Sequence, residues 1–249
     1  PKDKAGTVGQ PLGKIAFIRE GNLWIMDWDG KNQTKIVTVE NAQGKPSWSL
    51  DGKSIAFVRS GTVDLKGPDN LGGKHKVYDI FLGYPDSAKN TTTWWYRLTK
   101  DLGSRFPEFS ADGKTILYTK DLMANTVNAP APNYQTCLMD ADGGNVRVLR
   151  RDWQNTEYFT LMPTLGPNNL HAFVLMQNVK QLGVGVAPLD LPGLTASDVA
   201  QKVKLIPNVT APAWSPDGNW IAYVNNDIQE QAILITNPQL TERYFVFRP

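Results

Sequence analysis

Short apolar alternations, set between turns rich in Gly, Pro and Asp, run the length of the chain. Ile55 and Phe57 alternate with smaller or polar residues, and so do Ile221 and Tyr223. A period of two with branched and aromatic residues predicts half-buried strands rather than helices. The Asp-Gly pairs between them supply the positive φ angles of tight hairpin turns. The chain therefore reads as a succession of short antiparallel strands.

The strands recur as a unit. Pro46 to Val58 (PSWSLDGKSIAFV), Pro107 to Tyr118 (PEFSADGKTILY) and Pro212 to Val224 (PAWSPDGNWIAYV) share Pro, any residue, an aromatic, Ser, any residue, Asp-Gly and an apolar strand. A weaker copy starts at Pro163 (PTLGPNNLHAFV), and a fifth is implied where Gly13 to Phe17 matches Gly52 to Phe57 with one residue of slip. Two further strands follow in most copies, for example NLWIMD from Asn22 and QTCLMD from Gln135. The unit returns about every 50 residues, the size of a four-stranded propeller blade. The expectation is an all-β single domain, a β-propeller of five four-stranded antiparallel blades at approximately 6–44, 45–103, 104–158, 159–208 and 209–249. The last strand, RYFVF, is placed to close the ring against the start; the other reading is a part of a longer propeller.

The repeat resembles the TolB-type, WD-like propeller repeat, P-x-W-S-P-D-G-x-x-I-A-F, of which Pro212 to Tyr223 is nearly a consensus copy. That resemblance implies a propeller like that of bacterial periplasmic TolB proteins, and hence a periplasmic or extracellular location. The same repeat type also builds the non-catalytic propeller of prolyl oligopeptidases. TolB proteins add an N-terminal α/β domain to six blades, whereas thirteen residues precede Lys14 and five blades are counted.

Composition narrows the partners. With 26 Lys and Arg against 24 Asp and Glu, the net charge is +2. A uniformly basic nucleic-acid binder is excluded on that balance, and the basic loop Ser60 to Lys76 alone does not make such a surface. The single Cys137 excludes an internal disulfide and any multi-cysteine metal site. No apolar run reaches the roughly 18 residues of a membrane-spanning helix. The 21 Gly, 17 Pro and 25 aromatic residues fit strands and turns.

Catalytic signatures are missing. No G-x-S-x-G elbow occurs, and Ser49, Ser110 and Ser215 recur at the turn, where a hydroxyl bonds local backbone. Of the two histidines, His171 falls on a strand at the site matched by Trp220, a packing position, and His75 lies in the basic loop. Asp27/Asp29 and Asp140/Asp142 have the look of D-x-D-G calcium loops, but position twelve falls on Thr38 and Arg151 rather than on glutamate, so they read as hairpin turns. Ser47, Glu108, Thr164 and Ala213 take equivalent channel-facing places if Trp48, Phe109, Leu165 and Trp214 pack between blades. That gives one carboxylate where glycoside hydrolysis needs two. No metal or cofactor is expected.

Two binding surfaces remain. Lys45, Arg105, Phe106, Met162 and Ala211 precede the repeat prolines and are expected at one mouth of the channel, beside Glu108, where Lys45 and Arg105 give a positive rim. Thr93 to Thr99 (TWWYRLT) reads as the outer strand of blade 2, so either Trp95 and Arg97 or Trp94 and Tyr96 look away from the sheet core, a composition suited to a protein interface. The polar segments Ser60 to Lys76 and Asp121 to Asn133 are read as long loops, and Pro192 to Gln201 as a loop with one helical turn capped by Thr195 or Ser197. The expected role is a non-enzymatic protein-interaction scaffold in an envelope or extracellular assembly. The alternative is the propeller module of an oligopeptidase-like or glycosidase-like enzyme.

Overall fold

Five antiparallel sheets follow one another along the chain and around a central channel, as the blades of a β-propeller. The computed structural model describes residues 13–36, 40–65, 73–85, 94–124, 126, 133–151, 157–178, 180–191, 194–215, 217–225 and 232–247. Blade 1 contains β1 (Lys14–Arg19), β2 (Asn22–Asp27) and β3 (Thr34–Lys35). Blade 2 contains β4 (Ala42–Trp48), β5 (Ile55–Leu65), β6 (Gly73–Gly83) and β7 (Trp95–Arg97). Blade 3 is β8 (Ser104–Phe109), β9 (Thr115–Asp121), β10 (Tyr134–Asp140) and β11 (Arg147–Arg151). Blade 4 is β12 (Tyr158–Leu165), β13 (Leu170–Gln177), β14 (Lys180–Pro188) and β15 (Lys204–Pro207), with helix α1 (Ala196–Lys202) before its last strand. Blade 5 is β16 (Val209–Trp214), β17 (Ile221–Asn225), β18 (Ala232–Thr236) and β19 (Arg243–Phe247). The chain ahead of Gly13, against which β19 was expected to close, lies outside the described residues; β19 pairs antiparallel with β18.

The hairpin between the first two strands of a blade is fixed by its own side chains. In blade 3 the Ser110 hydroxyl donates to Asp112 Oδ1 at 2.6 Å and accepts from Thr115 N–H at 3.0 Å, while Asp112 Oδ1 also accepts from Lys114 N–H at 3.0 Å. Ser49/Asp51 and Ser215/Asp217 repeat the arrangement in blades 2 and 5. The Ser hydroxyl, then the backbone N–H, hold the Asp51, Asp112 and Asp217 carboxyls below the usual aspartate value. The recurring serines are thus structural. The two D-x-D-G turns close in the same self-contained way: Asp27 accepts from Asn32 Nδ2 and Asp140 from Asn145 Nδ2, each at 2.6 Å.

Blades join through the two faces of their second and third strands, because alternate residues point to opposite sides. Ala56, Val58, Ile80 and Leu82 of blade 2 meet Phe109, Ile116, Tyr118, Cys137 and Met139 of blade 3. Ile55 and Phe57, one residue out of phase, meet Leu23 and Ile25 of blade 1. Tyr223 and Leu234 of blade 5 meet Val184 and Ile206 of blade 4 in the same way. The repeat aromatics Trp48, Phe109 and Trp214 sit in these inter-blade cores, as their place in the repeat predicts. Among the described residues, no strand of blade 5 packs on blade 1 as these neighbours do.

Two local expectations need correction. Most of the segment Ser60 to Lys76 is strand, since β5 and β6 stay paired out to Leu65 and Gly73; Val63 and Val77 give the hairpin enough period-two pattern to extend. His171 pairs with Leu165, the place Ile221 holds opposite Trp214, and not the Trp220 site. The cause is a turn one residue shorter in blade 4: Gly166 N–H bonds Leu170 O there, where Ser215 N–H bonds Trp220 O in blade 5. His171 is fully buried, its ring 4.6 Å from that of Phe173 and its Nδ1 2.9 Å from Ala187 O. Helix α1 starts on a capping box in which Thr195 and Asp198 bond each other's backbone N–H, and Asp198 falls to about 2, chiefly through Lys202 and then Thr195.

Candidate functional site

The channel wall is built from a bulge that recurs in the innermost strands of blades 2 to 5, whereas β1 of blade 1 pairs with β2 in unbroken register. The register of β8 on β9 slips between Arg105 and Glu108, that of β12 on β13 between Leu161 and Thr164, and that of β16 on β17 between Thr210 and Ala213. The extra residue is the one before proline, and Phe106, Met162 and Ala211 stand there at φ of 55°, 50° and 53°. A β-carbon disfavours that left-handed region, and a following proline disfavours helical backbone generally, so the bulge is held by the ladder on either side of it. Blade 2 meets the same demand with Gly44 at φ 68° and one further residue, Lys45, before its proline.

These bulges surround a cavity of about 250 Å³, lined by Gly44 and Lys45, Phe106 to Glu108, Met162 and Pro163, and Ala211 and Pro212. Four of the five residues expected at a channel mouth are therefore together. The wall is mainly apolar, with a single ionic feature among the described residues: Lys45 Nζ lies 2.8 Å from Glu108 Oε2. Glu108 Oε1 accepts from Thr164 at 3.3 Å, so one carboxylate ties blades 2, 3 and 4. Ser47, the equivalent position in blade 2, turns to accept Phe109 N–H at 3.0 Å.

Arg105 does not reach this cavity. Its guanidinium lies 3.7 Å from the centroid of the Tyr78 ring, and its Nε is enclosed without a hydrogen-bond partner among the described residues. The expected positive rim is therefore a Lys45–Glu108 pair, with Arg105 spent on a stack between blades 2 and 3.

The outer strand of blade 2 divides its residues differently from either expected alternation. Trp94 is buried beside Phe57, with ring centroids 6.3 Å apart, and Trp95 packs edge-on to Phe81 under the Arg59 guanidinium. Strand β7 begins only at Trp95, so Trp94 is free of the strict alternation and both indoles fall on the blade 1 side. Arg97 is committed as well. It donates to Asp79 Oδ2 at 2.5 Å and to Thr99 O at 2.8 Å, and buried Asp79 also accepts from Thr99 Oγ1 and Leu102 N–H. Burial pushes the Asp79 carboxyl up, against the Thr99 and Arg97 contacts. Of the four residues proposed for this surface, Tyr96 alone presents a ring outward, stacked on Tyr84 at 6.4 Å.

The sequence reading missed Tyr84, and it missed the depression that Tyr84 and Tyr96 border between blades 2 and 3, about 510 Å³ in volume. Leu50 was the available signal: an apolar residue at the turn position that Ala111 holds in blade 3, 69% exposed. Among the described residues no three His, Cys, Asp or Glu side chains gather as metal ligands, and no helix is long and apolar enough to cross a membrane.

The architecture is that of known propellers. It is similar to TolB from Acinetobacter baumannii, with a TM-score of 0.62 and 18% identity over 96% of this chain and 54% of that one. It is similar to a putative TolB from Agrobacterium tumefaciens, at 0.64 and 16%, over 95% and 77% of the two chains. An oligogalacturonate lyase in complex with manganese aligns at 0.54 and 12%, over 94% and 62%. At such identities the likeness is one of fold, and the fold is TolB-like. The chain spans about half the length of the Acinetobacter baumannii protein. No protein-family model and no curated protein matches the sequence.

Proposed function

We propose that this chain is a non-enzymatic, TolB-like propeller that binds a protein partner at the bulged end of its channel, as part of an envelope or extracellular assembly. The observation that carries the reading is the cup itself. Phe106, Met162, Ala211 and three prolines form an apolar wall around one ion pair, a composition that takes up apolar side chains of a peptide and orients them with a few polar contacts. The extracytoplasmic location rests on the repeat's resemblance to periplasmic TolB proteins.

The alternative, the propeller module of an oligopeptidase-like or glycosidase-like enzyme, asks for reacting groups. In the cup the carboxylate is Glu108, engaged by Lys45 and Thr164, with no second carboxylate beside it among the described residues.

The backbone suggests the test. Phe106 and Met162 occupy conformations natural to glycine, so Phe106→Gly with Met162→Gly empties the cup while relieving the bulges. In a pull-down from an envelope extract, the double variant, with thermal unfolding at or above that of the parent, is expected to lose the partner that the parent retains. Equal recovery by both would remove the channel end as the binding site.

A further inference from the structure

The depression between blades 2 and 3 lies at the hairpin-turn end of those blades and is built unlike the channel cup. Its floor is apolar, made by Leu82 and Phe109, both part of the core between the two blades. One wall is the Tyr84–Tyr96 pair, with rings 27° from parallel and side chains 39% and 42% exposed. Asp112 and Asp142 of blade 3 also line it, with Asp51 at the rim, against one cation, Lys53, 3.7 Å from Asp51. The lining therefore carries an excess of negative charge beside two open aromatic faces.

The chemical state of these groups follows from their contacts. The turn hydroxyls and amides keep Asp51 and Asp112 ionised at neutral pH. The Tyr96 hydroxyl is pushed up to about 12 by burial, by its hydrogen bond with Tyr84 and by the Asp142 charge, so the phenol stays neutral and its ring face stays electron-rich. Asp142 uses Oδ1 to accept Gly144 N–H at 2.8 Å, and its carboxyl has further acceptor sites.

We propose that this groove docks an arginine-bearing segment of a partner protein, with the guanidinium stacked on Tyr96 and hydrogen-bonded to Asp142. Charge selects a cation, and the paired tyrosine faces select a planar one. Guanidinium stacks on an aromatic ring while its edge donates to a carboxylate, and a compact ammonium cannot do both. The protein repeats this preference internally, with Arg59 over Trp95 and Arg105 over Tyr78. The inference does not rest on the channel-end reading, since the two cavities have no lining residue in common.

The test is fluorescence anisotropy with a labelled peptide amide, Gly-Arg-Gly-Arg-Gly, against the whole chain. Saturable binding is expected, weakened about tenfold by Tyr96→Ala and by Asp142→Asn, and retained in Tyr96→Phe. Replacing both peptide arginines by lysine weakens it, and so does raising salt to about 0.5 M. The Phe106→Gly, Met162→Gly chain keeps it, which separates this site from the channel end. No saturable binding, or binding that survives both groove variants, would overturn the proposal. Displacement of the peptide by a neutral trisaccharide would overturn it too, by assigning the tyrosine pair to a sugar.

Discussion

Ile80 and Ile233 hold the same place in their blades, opposite Val58 and Val224, yet Ile80 is wholly buried and Ile233 is 41% exposed. The same divergence extends across both faces. Ala56, Val58 and Leu82 are sealed by blade 3, whereas Ala222, Val224 and Ile235 are only half-buried, and Tyr244 beside them is half exposed. Nothing in the alternation of the sequence distinguishes the two faces. Their burial is conferred by the neighbour: Ile116, Tyr118, Cys137 and Met139 press on blade 2, and among the described residues no blade presses likewise on the far side of blade 5. In a repeat fold the pattern specifies a blade, and the junction decides what each apolar position contributes.

Cavity formation tests this most severely. Ile80→Ala is expected to cost about 3–4 kcal/mol in urea denaturation and Ile233→Ala about 1 kcal/mol or less, since the latter opens no enclosed void. Equal losses would mean that the blade 5 face is covered in solution. Next in size, a Cβ on Gly83 would stand 2.4 Å from Cζ3 of Trp94, whereas one on Gly73, in the same strand, meets nothing within 4 Å. Gly83→Ala should cost about 2 kcal/mol and alter near-ultraviolet dichroism; Gly73→Ala should be neutral or gain about 0.5 kcal/mol.

Polar ties at the two kinds of site should separate less widely. Asp79→Asn disturbs a buried network joining Arg97, Thr99 and Leu102, at about 2 kcal/mol, while Lys53→Ala removes an exposed pair and should change stability by less than about 0.5 kcal/mol. The smallest effect concerns the turns. Asp112 borders the filled junction and Asp217 the last blade, and both are depressed. A depressed aspartate lends stability above its unfolded value and loses it as pH falls through the folded one, so these turns weaken only below about pH 4. Carboxyl carbon shifts in an NMR titration should give low midpoints for both, and Ser110→Ala should raise Asp112 alone. A normal midpoint for Asp217 would tie turn strength to the junction after all.

Much of the fold was legible because each blade writes its turn chemistry locally: Pro, aromatic, Ser and Asp-Gly identify the hairpin, and Ile55/Phe57 or Ile221/Tyr223 its second strand. The channel cup was legible for the same reason, since Phe106, Met162 and Ala211 hold one repeat position. What escaped depended on partners distant in sequence. Arg105 could not be assigned to Tyr78, nor Arg97 to Asp79, without knowing which blades touch. His171 was displaced by one residue because the Asn168-Asn169 turn is shorter than the Asp-Gly turns. The groove beside Tyr96 escaped because its two walls come from different repeats.

The Ser-x-Asp-Gly turn has a kinetic consequence. Each hydroxyl and carboxylate finds all its partners within six residues, so a hairpin can lock its register in the microseconds typical of such closures, before remote segments meet. A chain built from near-copies risks pairing a strand of one copy with the complement of another. Here the choice of partner is made while the copies are still strangers, which guards a repetitive sequence against swapped blades.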